Sequence, residues 1–142
     1  MNIDYTGTTP ERAHGSDAGY DLRARIDGTG PTFIPSKGRA VIPVGVSVAV
    51  PHGYCGQVVP RSGLAAKNGI TVLNTPGIID PGYRGEIKVV LYNTDDQPFP
   101  VRNGDRIAQL LIVKVEHPDF VEVEDLGFSD RGVKGFGSSG VK

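Results

Sequence analysis

Cysteine is nearly missing from this chain: Cys55 is the only one among 142 residues. A single thiol excludes an intramolecular disulfide and a cysteine metal cluster, and it suits a reducing compartment. Its expected role is that of a small buried apolar residue. A charge imbalance is missing too. Fifteen Lys and Arg face 16 Asp and Glu, a net charge of −1, which gives no general electrostatic case for nucleic acid or an anionic membrane. No apolar run approaches the roughly 20 residues of a membrane-spanning helix. The opening stretch MNIDYTGTTPERAHGSD carries neither a basic nor an apolar leader segment. A cytoplasmic protein with no nucleic-acid or membrane partner is therefore expected. His14, His52 and His117 are scattered without metal-ligand spacing, and neither a Ser/His/Asp arrangement nor a Walker lysine motif is readable.

What the chain has instead is punctuation. Twenty glycines and 11 prolines make about a fifth of it, short of the roughly 25–30% of low-complexity sequence, and they separate short apolar runs as turns do in an all-β domain. The length fits one domain that buries roughly two-thirds of its unfolded surface. In VIPVGVSVAV, residues 41–50, Val44, Val46, Val48 and Val50 alternate with Gly45, Ser47 and Ala49, the pattern of a strand. Further strands are expected at 56–59, 70–73, 86–93, 106–115 and 120–124. In the last of these, Val121 and Val123 alternate with Glu122 and Glu124, so one face meets water. SGLAAKNG, 62–69, is the one credible helix, with Ser62 as N-cap and Gly69 at its end. The expected fold is all-β, a sandwich, jelly roll or closed barrel. Residues 127–140 hold five glycines and two Phe, too little to bury a face, so the tail stays disordered unless a ligand or neighbour orders it.

Five segments carry candidate chemistry. Arg61-Ser62-Gly63 sits where a strand gives way to the helix, so a guanidinium, a hydroxyl and free backbone N–H groups converge on an anion, or Arg61 is simply a surface residue beside a cap. NTPGIIDPGYRGE, 74–86, reads as a long β-hairpin with turns at Pro76-Gly77 and Pro81-Gly82. Asp80 is either an ordinary turn residue capping its own backbone or a general base held at an apolar wall, with Tyr83 as a flat wall for a sugar or base. Asp17 and Asp21 flank a glycine, as turn residues or as oxygen ligands for a divalent cation. Gln109, amid apolar neighbours in GDRIAQLLI, needs a partner for its amide if buried. Gly135-Phe136-Gly137-Ser138-Ser139-Gly140 spells G-x-G-x-x-G. Only Val141 and Lys142 follow it, so the dinucleotide-binding reading lacks its helix, although glycines alone can still wrap an anion.

Taken in order, AGYDL (18–22), PRSGLA (60–65), NTPGIIDPGYRGE (74–86), GDRIAQ (104–109) and RGVKGFGSSG (131–140) resemble the five motifs of the trimeric dUTPases, the deoxyuridine triphosphate nucleotidohydrolases. Ser139 stands where that family often has Thr. The resemblance implies a jelly-roll-like, distorted β-barrel over residues 1–126 with a mobile lid, 127–142, belonging to the same domain. It also implies a homotrimer with shared active sites, and hydrolysis of dUTP to dUMP and pyrophosphate with Mg²⁺ on the triphosphate, which cleanses the nucleotide pool and supplies dUMP for dTMP synthesis. In that reading Asp80 activates the attacking water, and Tyr83 packs on the deoxyribose and excludes a 2′-hydroxyl. Asn74 and the backbone at Ile78, Ile79 and Asp80 read the uracil, with Lys88 alongside. Arg61, Ser62, Gly63 and Gln109 hold phosphate oxygens, and Asp21 reaches the metal through water. Phe136 stacks on the base while Arg131, Gly137, Ser138 and Ser139 contact phosphates. The rivals are a dCTP deaminase of the same fold and a non-catalytic nucleotide-sensing trimer. The intact IIDPGYRG segment and the complete glycine-rich tail argue against both.

Overall fold

The computed structural model describes residues 1–142. Eleven short strands and one helix follow one another: β1 (Asp4–Gly7), β2 (Tyr20–Arg23), β3 (Thr32–Ile34), β4 (Arg39–Pro43), β5 (Val46–Ala49), β6 (Tyr54–Val59), α1 (Ser62–Asn68), β7 (Ile70–Val72), β8 (Gly77–Ile79), β9 (Lys88–Asn93), β10 (Phe99–Val101) and β11 (Arg106–Lys114). The sheets run β2-β11-β6-β8 and β4-β9-β7, with β1-β5 and β10-β3 as two-stranded pairs, and every pairing is antiparallel. The architecture is all-β and jelly-roll-like, as expected, without one barrel closing around it. A single cluster of 19 buried apolar residues joins the sheets. Each such Val, Leu or Ile contributes about 1.5–3 kcal/mol when fully removed from water. Cys55 is buried too, as expected, though it is not part of that cluster. No helix is long and apolar enough to cross a membrane.

The valine alternation of 41–50 holds, because Val44, Val46, Val48 and Val50 are all buried. The single strand expected there is instead two strands in two sheets, β4 against β9 and β5 against β1. Gly45 is the joint. Its φ of +67° lies in the left-handed region that glycine enters without steric cost, which lets the chain change sheets while its valines stay inward.

The long hairpin expected at 74–86 is not one. β8 pairs with β6 and β9 with β4 and β7, so the segment between them crosses from one sheet to the other. The turn at Pro81-Gly82 is present, closed by the Tyr83 N–H on the Asp80 carbonyl at 3.1 Å. The Thr75–Pro76 peptide is cis. In α1 the N-cap is Arg61, with no side-chain capping bond, and Ser62 is the first helical residue. Gly69 ends the helix as expected, at φ 63°, its N–H bonded to the Ala65 and Leu64 carbonyls.

The strand expected at 120–124 does not form. The last regular element ends at Lys114, Val115 donates to the Gly53 carbonyl at 2.9 Å, and from Glu116 onward every residue is exposed. Alternation alone does not make a strand: its backbone groups need a neighbouring edge and its apolar side needs something to cover it. Beyond that point the chain has only local turns, such as Ser138 N–H on the Gly135 carbonyl and Gly140 N–H on the Gly137 carbonyl, both 2.9 Å.

Candidate active site

Register in the four-stranded sheet sorts the candidate residues between two faces. Side chains alternate across a strand, and the pairing aligns Leu110 with Val58, Val58 with Gly77, and Ala108 with Leu22. These positions are buried and form the inner face. The intervening positions are not buried: Gln109 pairs with Asp21 on one side and with Val59 on the other, while Gln57 pairs with Ile78. One face therefore feeds the core, and the other presents Asp21 and Gln109 side by side.

Where β8 is the edge strand, a cleft of about 210 Å³ opens between the two larger sheets. Asn74, Ile78, Ile79, Tyr83 and Lys88 line it, over a floor that includes Val58, Val72 and Ile87. The Asn74 amide lies over Gly77, where a built Cβ would come within 3.4 Å of Asn74 Nδ2 and of Val58 Cβ. A Cβ there would only touch both, at ordinary van der Waals distance. The floor supplies the apolar walls of a small-molecule site, and an amide, an ammonium and the backbone of an edge strand supply its few polar contacts.

Asp80 directly follows β8 and is exposed. Its carbonyl closes the 80–83 turn, while its carboxylate caps nothing, which separates it from the ordinary turn aspartate. By contrast, Asp17 does what turn residues do: its Oδ2 accepts the His14 N–H at 2.9 Å. Tyr83 is 42% exposed, and its hydroxyl donates to the Glu86 carbonyl at 2.8 Å. The ring is thus held at the cleft and stays partly exposed.

On the outer side, Asp21, Arg61, Gln109 and Arg106 surround a second, polar hollow of about 420 Å³. Arg61 Nη1 donates to the Arg106 carbonyl at 3.0 Å, and Arg106 Nη1 stands 3.6 Å from Asp21 Oδ2. Gln109 makes no structural hydrogen bond. Its amide abuts Gly19, where a built Cβ would lie 2.6 Å from Gln109 Oε1. Ser62 and Gly63 follow Arg61 in the first turn of α1, both exposed. The hollow thus sets two guanidinium groups and an amide beside the carboxylates of Asp17 and Asp21, a mixed lining that suits phosphate oxygens accompanied by a cation.

The cleft and the hollow share no lining residue, and the tail reaches neither. Arg131, Phe136, Gly137, Ser138 and Ser139 are all exposed, and Arg131 Nε donates only to the Lys134 carbonyl within the tail, at 2.7 Å. Sequence reasoning missed Arg106 and the apolar floor of the cleft. Arg106 was available from the GDRIAQ segment, three residues before Gln109, but only the pairing of β11 with β2 shows that it meets Asp21.

A dUTPase family model matches residues 6–140. A deoxyuridine 5′-triphosphate nucleotidohydrolase of Tropheryma whipplei strain Twist is 52% identical over 135 residues, covering 94% of this chain and 90% of that one. One from Mycolicibacterium gilvum is 51% identical over 146 residues, covering 99% and 92%. Among solved structures, the Staphylococcus bacteriophage 80alpha dUTPase with dUPNHPP superposes with a TM-score of 0.86 at 31% identity, covering 99% of each chain. A dUTPase from phage phi11 of S. aureus, in which a structural Mg(II) ion is coordinated, gives 0.78 at 25% identity, covering 89% of this chain and 99% of that one.

Proposed function

The chain belongs to the dUTPase family and hydrolyses dUTP to dUMP and pyrophosphate, and we propose that Asp80 is the group that takes the proton from the attacking water. The observation that carries this reading is the uncommitted Asp80 carboxylate at the end of β8, beside a cleft that ends in an amide and an aromatic wall. Water attacks the α-phosphorus, its proton passes to Asp80, and the bond to the bridging oxygen breaks to release pyrophosphate. Asn74 and the edge of β8 read the pyrimidine, with Lys88 beside it, and the Tyr83 ring lies against the deoxyribose. Arg61, Ser62, Gly63 and Gln109 hold phosphate oxygens. Such a reaction asks the protein mainly for positioning and charge stabilisation. The full IIDPGYRG segment and the glycine-rich tail support hydrolysis over deamination or mere nucleotide sensing.

The donor set suits Mg²⁺ carried by the substrate. No three His, Cys, Asp or Glu side chains converge anywhere, so an all-protein cage is lacking. Asp21 in the polar hollow is placed for a contact through water, the manner in which Mg²⁺ usually keeps part of its hydration. When bound, the ion would neutralise charge on the phosphate oxygens.

The two halves of the site share no lining residue, and the tail residues touch neither. That arrangement supports a homotrimer in which one nucleotide meets the cleft of one copy, the hollow of a second and the tail of another. Residues 127–142 then act as a lid, Phe136 stacking on the base while Arg131, Gly137, Ser138 and Ser139 meet phosphates. Sedimentation at working concentration should give three copies per particle, and a fully active monomer would rule the arrangement out. The reaction belongs in the cytoplasm, where the unpaired Cys55 suits a reducing medium; cell fractionation checks this.

Pyrophosphate release from dUTP, dCTP and UTP, with Mg²⁺ and with chelator, tests the chemistry. Asp80→Asn keeps the shape and removes the proton acceptor, so turnover should fall by about 10² or more while the nucleotide still binds, since general-base catalysis contributes about 10²–10⁴. Near-normal turnover would take Asp80 out of the mechanism.

A further inference from the structure

The Tyr83 ring is held from two sides by groups that touch no nucleotide in the reading above. Below it lies Gly85, where a built Cβ would stand 2.6 Å from the Tyr83 hydroxyl oxygen and 2.7 Å from the ring carbon that bears it. Any side chain at 85 would displace the ring. Its hydroxyl is tied to the Glu86 carbonyl at 2.8 Å. Glu86 is in turn fixed to the opposite sheet: its Oε1 accepts the Gly45 N–H at 2.7 Å. That donor sits between two backbone bonds to the next residue, Val44 N–H on the Ile87 carbonyl at 3.1 Å and Ile87 N–H on the Val46 carbonyl at 2.9 Å. Gly45 itself is buried at a φ of +67°, a backbone conformation that L side chains rarely adopt. The anchor is therefore the buried joint between β4 and β5, and the carboxylate carries its position to the ring.

We propose that Glu86, with Gly85, is a positioning element that sets deoxyribose selectivity by fixing the height and tilt of the Tyr83 ring; this rests on Tyr83 being the sugar wall. A ring that shields one face of a pentose excludes a 2′-hydroxyl only if it cannot retreat. Released from its carbonyl, or with that carbonyl loosened, the ring yields and a ribonucleotide is admitted. Loss of the tether affects the choice between sugars more than folding: the backbone bonds at Ile87 keep the strands together, while the Glu86 peptide, left with one anchor where it had two, gains room to tilt about it.

The readout is the ratio of kcat/KM for dUTP to that for UTP, measured on the full-length protein alongside its melting temperature. Glu86→Ala and Tyr83→Phe should each lower the ratio about fivefold, well inside the 10²-fold that an ångström of misplacement can cost. Glu86→Gln should retain it, because the amide oxygen still accepts the Gly45 N–H. The double variant Tyr83→Phe with Glu86→Ala should be no less selective than the weaker single one, since both cut the same chain of contacts. Gly85→Ala should lower the ratio by lifting the ring. Tyr83→Ala separates the two levels of the argument. If it narrows the ratio while Glu86→Ala and Tyr83→Phe leave it unchanged, the tether is wrong and the sugar wall stands. If Tyr83→Ala itself leaves the ratio unchanged, both fall. A melting temperature lowered in Glu86→Ala with the ratio intact assigns Glu86 a purely structural role and overturns the proposal.

Discussion

Residues 41–50 and 116–128 both contain alternating valines, in the second only Val121 and Val123, and they end in opposite environments. The first stretch brings Val44, Val46, Val48 and Val50 to 3–4% exposure, while in the second Phe120, Leu126 and Phe128 stand at 94–98%. The first carries no charged residue; the second carries five acids, Glu116, Asp119, Glu122, Glu124 and Asp125. Pairing partners differ as well. β4 and β5 each find an edge, on β9 and β1, whereas nothing in the chain pairs with 116–128. Ordering the backbone costs about 1–2 kcal/mol per residue, and only burial or a partner offsets it. The body therefore holds the fold together, and the tail, which contributes no packing to its own chain, is free to be placed by something else.

The largest effect expected from that contrast is on stability and lies in the body. Leu91 is fully buried in β9, between Ala40 of β4 and Val72 of β7. Leu91→Ala should destabilise the protein by about 2–5 kcal/mol, the usual cost of emptying a core leucine site. Val133→Ala, in the exposed tail, should stay within about 0.5 kcal/mol of the parent, as surface changes do. Denaturant unfolding of both variants checks this, and equal losses would mean that the tail packs on the body in solution.

The same contrast explains what was legible from residues alone. Body strands rich in Val, Ile and Leu, such as 86–93 and 106–115, announced themselves because burial and alternation coincide there. β1, β2, β3 and β10 did not: DYTG, YDLR, TFI and FPV are three or four residues long and lack the β-branched run that makes an equally short strand such as ITV readable. The hairpin reading of 74–86 failed because turn residues fix a local reversal but not which strand lies opposite. Asp80, Tyr83 and Asn74 were legible as members of a recognisable segment. The cleft that Asn74 and Tyr83 share was not, since its floor comes from β6, β7 and β9. The Glu86 tether was out of reach for the same reason: Gly45 is 41 residues away, and only the fold brings its N–H to the carboxylate.

The smaller effects lie in catalysis and belong to the tail. A chain ending at Asp130 should keep every strand pairing, since the last paired residue is Lys114, and its melting temperature without ligand should match that of the full chain. Turnover should nevertheless fall, on the order of 10²-fold, because closing segments complete a site and exclude water from it. Phe136→Ala then isolates one part of that loss. The side chain is fully exposed, so removing it takes nothing from the core, and any cost must appear only when nucleotide is bound. Base–aromatic stacking contributes about 1–3 kcal/mol by alanine substitution, and a fall in kcat/KM of that size with an unchanged melting temperature is expected. Amide exchange provides the independent measure: residues 131–140 should exchange fast in the free protein and slowly with a non-hydrolysable dUTP analogue and Mg²⁺. Equal exchange in the two states, or full activity after truncation, would make the tail a frayed terminus and leave the body to do the chemistry alone.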